Sequence, residues 1–387
     1  LASGRRGGDE KMSAEQNLVV HFGAGALGRG FIVPILKESG MKVCLVDSNH
    51  EIIRLLKQDN AYCLNVSDEV PERQMQEIKI DSVFQSVDDS EDLMDALKRA
   101  RVVTTSVRKE NLVHIAGALA KAWQDGINDD RIVICCENIE HVSAFFRNLL
   151  QEAAENEDAR RNLMNIKIPD VMVDRGCAQD PEDPLTVQVK RFYEIAVDKK
   201  ELPDTGIRLI PSVDNMETCF YRKRFLLNTY VDALSFIALD KGLITLYDAI
   251  HDKELTARMD PYMTAVKESL VLGWGMSSVE VEHWDQLYRD RNLNSAGNKR
   301  TLESIARDMW RKLEYEERFV KPLAVAAEYG VDIGEASKFL ADLVSIEIKR
   351  NEMDRNVALE QLKQMWQDGK SGKEVFTQVE KYLKISE

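Results

Sequence analysis

Residues Asn17-Leu-Val-Val-His-Phe22 run directly into Gly23-Ala24-Gly25-Ala26-Leu27-Gly28, and Lys42-Val-Cys-Leu-Val-Asp47 follows; this stretch decides the fold. The first run is short and apolar, as a central strand of a parallel sheet is. After the glycines, Phe31, Ile32, Ile35 and Leu36 recur at helical spacing, and the pattern stops at Gly40. The second apolar run ends on a carboxylate. Strand, Gly-x-Gly-x-x-Gly, helix, strand and acid, in that order, are the parts of a dinucleotide-binding unit. Gly23 makes the tight turn, Gly25 lets the backbone approach a pyrophosphate, and Gly28 lets the helix pack closely on the sheet. Ala24, Ala26 and Leu27 complete the loop, which ends at a helix N-terminus whose free N–H groups and partial positive charge favour an anion. Asp47, 19 residues after Gly28, accepts hydrogen bonds from ribose hydroxyls and repels a 2′-phosphate. The predicted cofactor is therefore NAD rather than NADP.

Working outward, a helix is expected over 51–57, strand-like patterns over 61–66 and 77–86, and a helix over 90–100. The run over 101–106 reads as a strand that ends in small polar residues. Thr105, Ser106 and Val107 then stand at a strand's carboxyl end, where they line the cofactor or simply cap the strand. A helix over 111–123 leads to a strand over 131–136 and then to Glu137-Asn138. Asn138 is an amide that either reaches a bound substrate or caps the helix beginning near His141. Strands follow over 168–173 and 185–197, with Asp174-Arg175 between them. Beyond Pro211 the strand-like runs stop. Helices are expected over about 216–240, 244–250, 252–273, 279–290, 301–329, 333–351, 355–369 and 372–384, with Pro261 and Pro322 as kinks or starts. The expected architecture is an α/β Rossmann-type NAD-binding domain over 17–211 followed by an all-α substrate domain over 212–387. Residues 1–16 read as a disordered arm or a vector-derived remnant, with Met12 as a candidate start.

Composition narrows the function. The chain has 387 residues, 44% hydrophobic and 30% charged, enough for two domains with sizeable cores. A net charge of −14 and a pI near 5.1 argue against a nucleic-acid or anionic-membrane surface. No apolar run approaches the roughly 20 residues that span a bilayer. The six cysteines form no Cys-x-x-Cys pair and read as free thiols in a reducing cytoplasm. The histidines lack ligand spacing and the carboxylates do not cluster, so no metal site is expected.

Within the helix expected from Met216, the run Lys223-Arg-Phe-Leu-Leu-Asn228-Thr-Tyr-Val231 sets a lysine and an asparagine into an apolar body. Hydride chemistry on an alcohol needs a base for the hydroxyl proton and donors for the developing alkoxide. Lys223 suits the first task if its pKa falls well below the free value of about 10.4, and burial or the charges of Arg222 and Arg224 push it that way. Asn228 can donate its amide. In an α-helix, at about 100° per residue, the two lie roughly 140° apart, so spacing alone does not put them on one face. Taken alone, Lys223 also reads as a helix lysine snorkelling to water, and Asn228 as a residue bonding a neighbouring loop.

Several separated motifs carry a wider resemblance. They are His21-Phe-Gly-Ala-Gly-Ala-Leu-Gly-Arg-Gly-Phe31, Val103-Thr-Thr-Ser-Val107, Cys136-Glu-Asn138, Val173-Asp-Arg175, Asp183-Pro-Leu185, Lys223-x4-Asn228-Thr229, and Lys321-Pro-Leu323 with Glu328-Tyr-Gly330. In this order they resemble the polyol-specific long-chain dehydrogenases, and within them the mannitol-1-phosphate 5-dehydrogenases. The resemblance implies reversible oxidation of a sugar alcohol, or its phosphate, to a ketose with NAD. It makes Lys223 the general base, lets Asn228 and Asn138 polarise the reacting oxygen, and sets Asp174, Arg175 and Arg289 against the substrate. The chain departs from the pattern twice. The family's Lys-x4-Asn-x2-His places a histidine where this chain has Val231, which leaves open a catalytically altered homologue or a different sugar derivative. Arg289-Asp-Arg-Asn-Leu293 stands where the family carries Arg-x-x-Asn-Pro. Arg311-Lys312-Leu313 reads either as a cationic cluster for a phosphate or as a solvated helix face.

Overall fold

The computed structural model describes residues 17–86, 90–125, 131–293, 301–366 and 369–385, so the arm expected at 1–16 lies outside it. The chain divides into two compact units, one ending at Met216 and the other beginning at Glu217.

The described strands of the first unit are, in chain order, β1 (Leu18–Phe22), β2 (Lys42–Asp47), β3 (Ala61–Val66), β4 (Met75–Lys79), β5 (Ser82–Gln85), β6 (Val102–Thr105), β7 (Ile132–Cys135), β8 (Val171–Gln179), β9 (Thr186–Asp198) and β10 (Ser212–Val213). Five form a wholly parallel sheet in the order β5-β2-β1-β6-β7. Such strands are apolar on both faces because both are covered. Val20, Cys44, Val46, Val103, Val133 and Cys135 face the helices Leu112–Trp123 and Val142–Glu152. Val19, Val43, Leu45, Val102, Ile132 and Ile134 face Phe31 and Ile35, which follow the glycine turn. Strand order reverses between β1 and β6, the switch point at which sheets of this type open a ligand crevice.

A second sheet runs β10-β9-β3-β4, with β8 paired antiparallel to β9. It corrects two expectations. The single strand expected over 77–86 is two, in different sheets. The Asp81 carboxylate accepts from Val43 N–H at 2.8 Å and from Lys37 Nζ at 2.5 Å, pinning the corner between them. Asp174 and Arg175 lie inside β8 rather than beyond a strand's end. A helix that sequence patterning does not reveal, Glu157–Met164, is capped by the Asn156 side chain, which accepts from Ala159 N–H.

The second unit is helical among its described residues. The helix expected over 252–273 is two, Lys253–Arg258 and Asp260–Trp274, with Pro261 in the first turn of the second. The long helix expected over 301–329 is three short ones, and Pro322 again starts the last, Lys321–Glu328. Ser278–Leu293 continues helical through Arg289–Leu293, consistent with Leu293 in place of a proline, since the residue before a proline is pushed out of the helical region. No described helix is long and apolar enough to cross a membrane.

Candidate functional site

The glycine turn opens a cleft of about 1010 Å³ in the first unit, at the upper end of the roughly 300–1,000 Å³ of small-ligand sites. Gly23, Ala24, Gly25, Asp47, Ser106 and Val107 line it. Ala26 and Leu27 instead pack on the core, and Gly28 and Thr105 lie behind the wall. Gly23 sits at φ +115°, a conformation that only glycine adopts without strain. A methyl group on Gly28 would lie 1.9 Å from the Gly23 carbonyl oxygen and 2.6 Å from His21 Nε2. A methyl on Gly25 would meet nothing within 4 Å, so the backbone there is open to a ligand. The cradle thus suits a group that must approach main-chain N–H groups closely, as a pyrophosphate does.

Asp47 closes one end of the cleft. Its Oδ2 accepts from Ala24 N–H at 2.6 Å and its Oδ1 from Asn49 N–H at 2.8 Å. The carboxylate is therefore held in place before any ribose arrives. Arg29, 1% exposed, braces the same turn from behind. It donates to the carbonyls of Ala24 (2.7 Å) and Pro184 (2.8 Å) and to Gln179 Oε1 (2.5 Å). Sequence reasoning missed its part; the available signal was an arginine inside an otherwise apolar helical pattern.

Under the turn, His21 Nδ1 lies 2.7 Å from Thr104 Oγ1 and Nε2 lies 3.1 Å from Ser106 Oγ. Burial drives its pKa down from 6.5 to about 3, against hydrogen bonding at Gly23 and Thr104. The folded protein therefore holds His21 neutral while the unfolded chain binds a proton below its pKa near 6.5. This contribution to stability is complete above pH 6.5 and is lost as pH falls toward 3. From His21 alone, stability measured by denaturant unfolding should be about 1 kcal/mol lower at pH 5.5 than at pH 6.5; no change over that interval would refute a neutral His21.

At the ends of β6 and β7, Thr105 Oγ1 donates to Glu137 Oε1 (2.9 Å) and Oε2 (2.8 Å), and Val107 N–H donates to Glu137 Oε1 (3.0 Å). Thr105 faces inward to this carboxylate and not into the cleft. Asn138 is exposed at the start of the following loop. It does not cap the next helix, whose cap position is His141.

In the second unit the segment Lys223–Asn228 is not α-helical but a π-turn, and Thr229 N–H bonds to the Arg224 carbonyl, five residues back. Where bonding runs i to i+5, the chain returns over its own start one residue later than in an α-helix. Lys223 and Asn228 are five apart, so the wide turn brings them toward a common face that ideal α-geometry denied them. Both are half-buried, while Phe225, Leu226 and Leu227 are buried. Val231 is 8% exposed and follows Asn228 by three α-helical residues. Beside it, Tyr230 lies beneath Arg289, whose guanidinium carbon is 4.6 Å from the ring centroid. Arg289 Nε also bonds both oxygens of the buried Asp285 at 3.1 and 3.0 Å.

Three expected cations are already held by partners within the fold. Lys312 is 6% exposed and binds Asp232 Oδ1 at 3.1 Å and the Ile305 carbonyl at 2.9 Å; Arg311 pairs with Glu317. Within the 311–313 run, Lys312 and Leu313 are buried and Arg311 alone is exposed, so the run is not a solvated face throughout. Arg175 donates to the carbonyls of Lys190 (2.8 Å) and Gly30 (2.9 Å) and lies against Phe31 and Tyr193. It ties β8 to the helix that leaves the glycine turn. No disulfide joins any of the six cysteines, and no described group of three or more metal-ligating side chains is placed to hold an ion.

Comparison with known proteins agrees with this architecture. The chain is 28% identical over 324 residues to a mannitol-1-phosphate 5-dehydrogenase of Lactococcus lactis subsp. cremoris, covering 81% of this chain and 82% of that protein. It is 28% identical over 317 residues to the Streptococcus pneumoniae protein of the same name, covering 79% and 82%. Among solved structures, a D-sorbitol dehydrogenase in substrate-free form superposes with a TM-score of 0.73 at 15% identity, covering 95% of this chain and 92% of that one. The Pseudomonas fluorescens mannitol 2-dehydrogenase ternary complex with NAD and D-mannitol gives 0.66 at 15% identity, covering 95% and 91%. At those identities the two structures speak to the fold alone. The family model described as the mannitol dehydrogenase Rossmann domain matches residues 17–210, half of the chain, which therefore belongs to the mannitol dehydrogenase family.

Proposed function

We propose that this protein is an NAD-dependent oxidoreductase that interconverts a sugar alcohol, or its phosphate, with the corresponding ketose, in the manner of mannitol 1-phosphate and fructose 6-phosphate. The observation that carries the reading is a glycine-turned cleft with a pre-held Asp47, in a chain of the mannitol dehydrogenase family. NAD, when bound, supplies the acceptor for the substrate's hydride. The residues of the chain do the rest. Gly23, Ala24, Gly25, Ser106 and Val107 hold the dinucleotide, and Asp47 takes its ribose hydroxyls. Lys223 accepts the hydroxyl proton during oxidation and returns it during reduction, and Asn228 and Asn138 hydrogen-bond the oxygen on which charge develops. Asp174 and Arg289 supply polar contacts to the rest of the substrate.

A second reading rests on Val231. Valine cannot donate a hydrogen bond, and loss of one such donor costs about 10²–10³ in rate. A homologue that binds the dinucleotide without turning over would fit that change.

A spectrophotometric screen separates the two. NADH oxidation is expected with fructose 6-phosphate or another ketose; tight NADH binding with no turnover on any ketose would leave the second reading standing. Asp47→Asn removes one negative charge facing the 2′-position. It should lower the preference for NAD over NADP by about tenfold, the order expected of one partly screened charge. An unchanged cofactor ratio would count against the ribose assignment.

A further inference from the structure

Glu137 is a buried carboxylate at 4% exposure, and the mechanism above gives it no task. Its hydrogen-bond partners are neutral, the Thr105 hydroxyl and the Val107 N–H. No cation pairs with it among the described residues. The flanking thiols of Cys135 and Cys136 are buried and pushed upward in pKa, so they stay uncharged and add no second negative charge beside the carboxylate. Burial raises the Glu137 carboxyl above its ordinary value, against the downward pull of the Val107 and Thr105 hydrogen bonds. A buried carboxylate is costly unless it is hydrogen-bonded or paired, and here the Thr105 hydroxyl and the Val107 N–H both donate into it, which favours the charged form.

Its place in the sheet says what that charge faces. Asp47 ends β2, on one side of β1, and Glu137 follows β7, on the other side beyond β6. A dinucleotide laid across the switch point puts one nucleotide on each half. With the adenosine ribose at Asp47, the nicotinamide half falls to the β6–β7 side. Val107 lines the cleft there, and its N–H is bonded to Glu137 from behind. The carboxylate stands one hydrogen bond behind the cleft wall. An oxidised nicotinamide ring is positively charged, and a reduced one is neutral.

We propose that Glu137 discriminates between the two redox states of the cofactor, its cation-free carboxylate taking the positive nicotinamide ring as counter-ion. This rests on the assignment of NAD made above. Glu137 acts through the field it sets up at the ring and touches no reacting atom, so it is a specificity-determining residue. Its hydrogen bonds to Thr105 and Val107 would also serve a purely structural clamp, and the test must separate charge from clamp.

Glu137→Gln keeps the shape and an acceptor oxygen for both donors while removing the charge. Dissociation constants for NAD and NADH, measured on the full-length protein by calorimetry or fluorescence, should show NAD weakened about tenfold and NADH changed by less than about twofold, as one charge at an effective dielectric near 20 would give. Glu137→Asp, which keeps the charge, should leave the NAD-to-NADH ratio within about twofold of the native value. Equal weakening of both dinucleotides, an unchanged ratio, or a Glu137→Asp ratio shifted as far as that of Glu137→Gln overturns the proposal. So does a Glu137→Gln protein that does not fold, because the role is then structural. Native protein that binds neither dinucleotide refutes the NAD assignment itself and is distinguishable from all of these.

Discussion

Lys223→Ala should lower kcat by about 10²–10⁴, the usual worth of a positioned general acid–base group, while NADH binds as before. The two quantities separate because the dinucleotide cleft is lined entirely by residues of the first unit, whereas Lys223 belongs to the second. A lysine needed only in the transition state should bring kcat and kcat/KM down together, and one that merely holds substrate should raise KM with kcat unchanged. The measurement is steady-state NADH oxidation against the best ketose from the screen, beside NADH titration of the same preparation. Folding should be little affected, since Lys223 is half-buried and the buried body of the turn is Phe225, Leu226 and Leu227. Undiminished turnover would remove Lys223 as the base, whatever the substrate.

Asp232→Ala should destabilise the helical unit by about 3–5 kcal/mol. Asp232 is 6% exposed and holds two cations, Lys312 at 3.1 Å and Arg318 at 2.8 Å. Their side chains are 7% and 16% exposed, so removing the carboxylate leaves Lys312 without a carboxylate partner and Arg318 with Glu317 alone, both with little water to compensate them. Burial already lowers the Lys312 ammonium below its ordinary pKa despite the neighbouring Asp232, which indicates how little solvation it has to spare. Urea unfolding of the two proteins at pH 7 reads the difference. The exposed pair Arg258–Asp342 is the control, and Asp342→Ala should cost no more than about 1 kcal/mol. Comparable losses at both positions would mean that the buried triad has no special weight.

Much of the fold was legible because its signals are local. The parallel strands are short runs apolar on both faces, and the change from period-two runs to helical spacing near Pro211 separates an α/β half from a helical one. What escaped depends on packing between distant segments. Nothing in residues 77–86 says that the chain breaks at Asp81, because the break is made by Lys37 and the Val43 amide. Asp174-Arg175 read as lying beyond a strand because the apolar run stops at Val173, yet Arg175 is accommodated within β8 by the Gly30 and Lys190 carbonyls and two aromatic faces.

The candidate site divides in the same way. The glycine spacing and Asp47 are visible as a motif. Arg29 shows only as one charge in an apolar helical pattern and Glu137 as one acid at a strand's end, and neither gives a period to detect. The relation of Lys223 to Asn228 was the least accessible. Five residues mean opposite sides of an α-helix but neighbouring positions on a π-turn, and residue types do not distinguish i+4 from i+5 bonding.

The second sheet sets an order of events during synthesis. β3 can pair with β4 within a few residues of leaving the ribosome, but its other edge waits for β9, with Cys63 aligned to Thr186, 123 positions later (186 − 63). At about 5–20 residues per second, that edge stays open for roughly 6–25 s. A nascent chain halted in that interval would expose an unpaired strand able to capture another copy. Truncations ending before Thr186 should therefore aggregate, whereas those that retain β9 can close the edge.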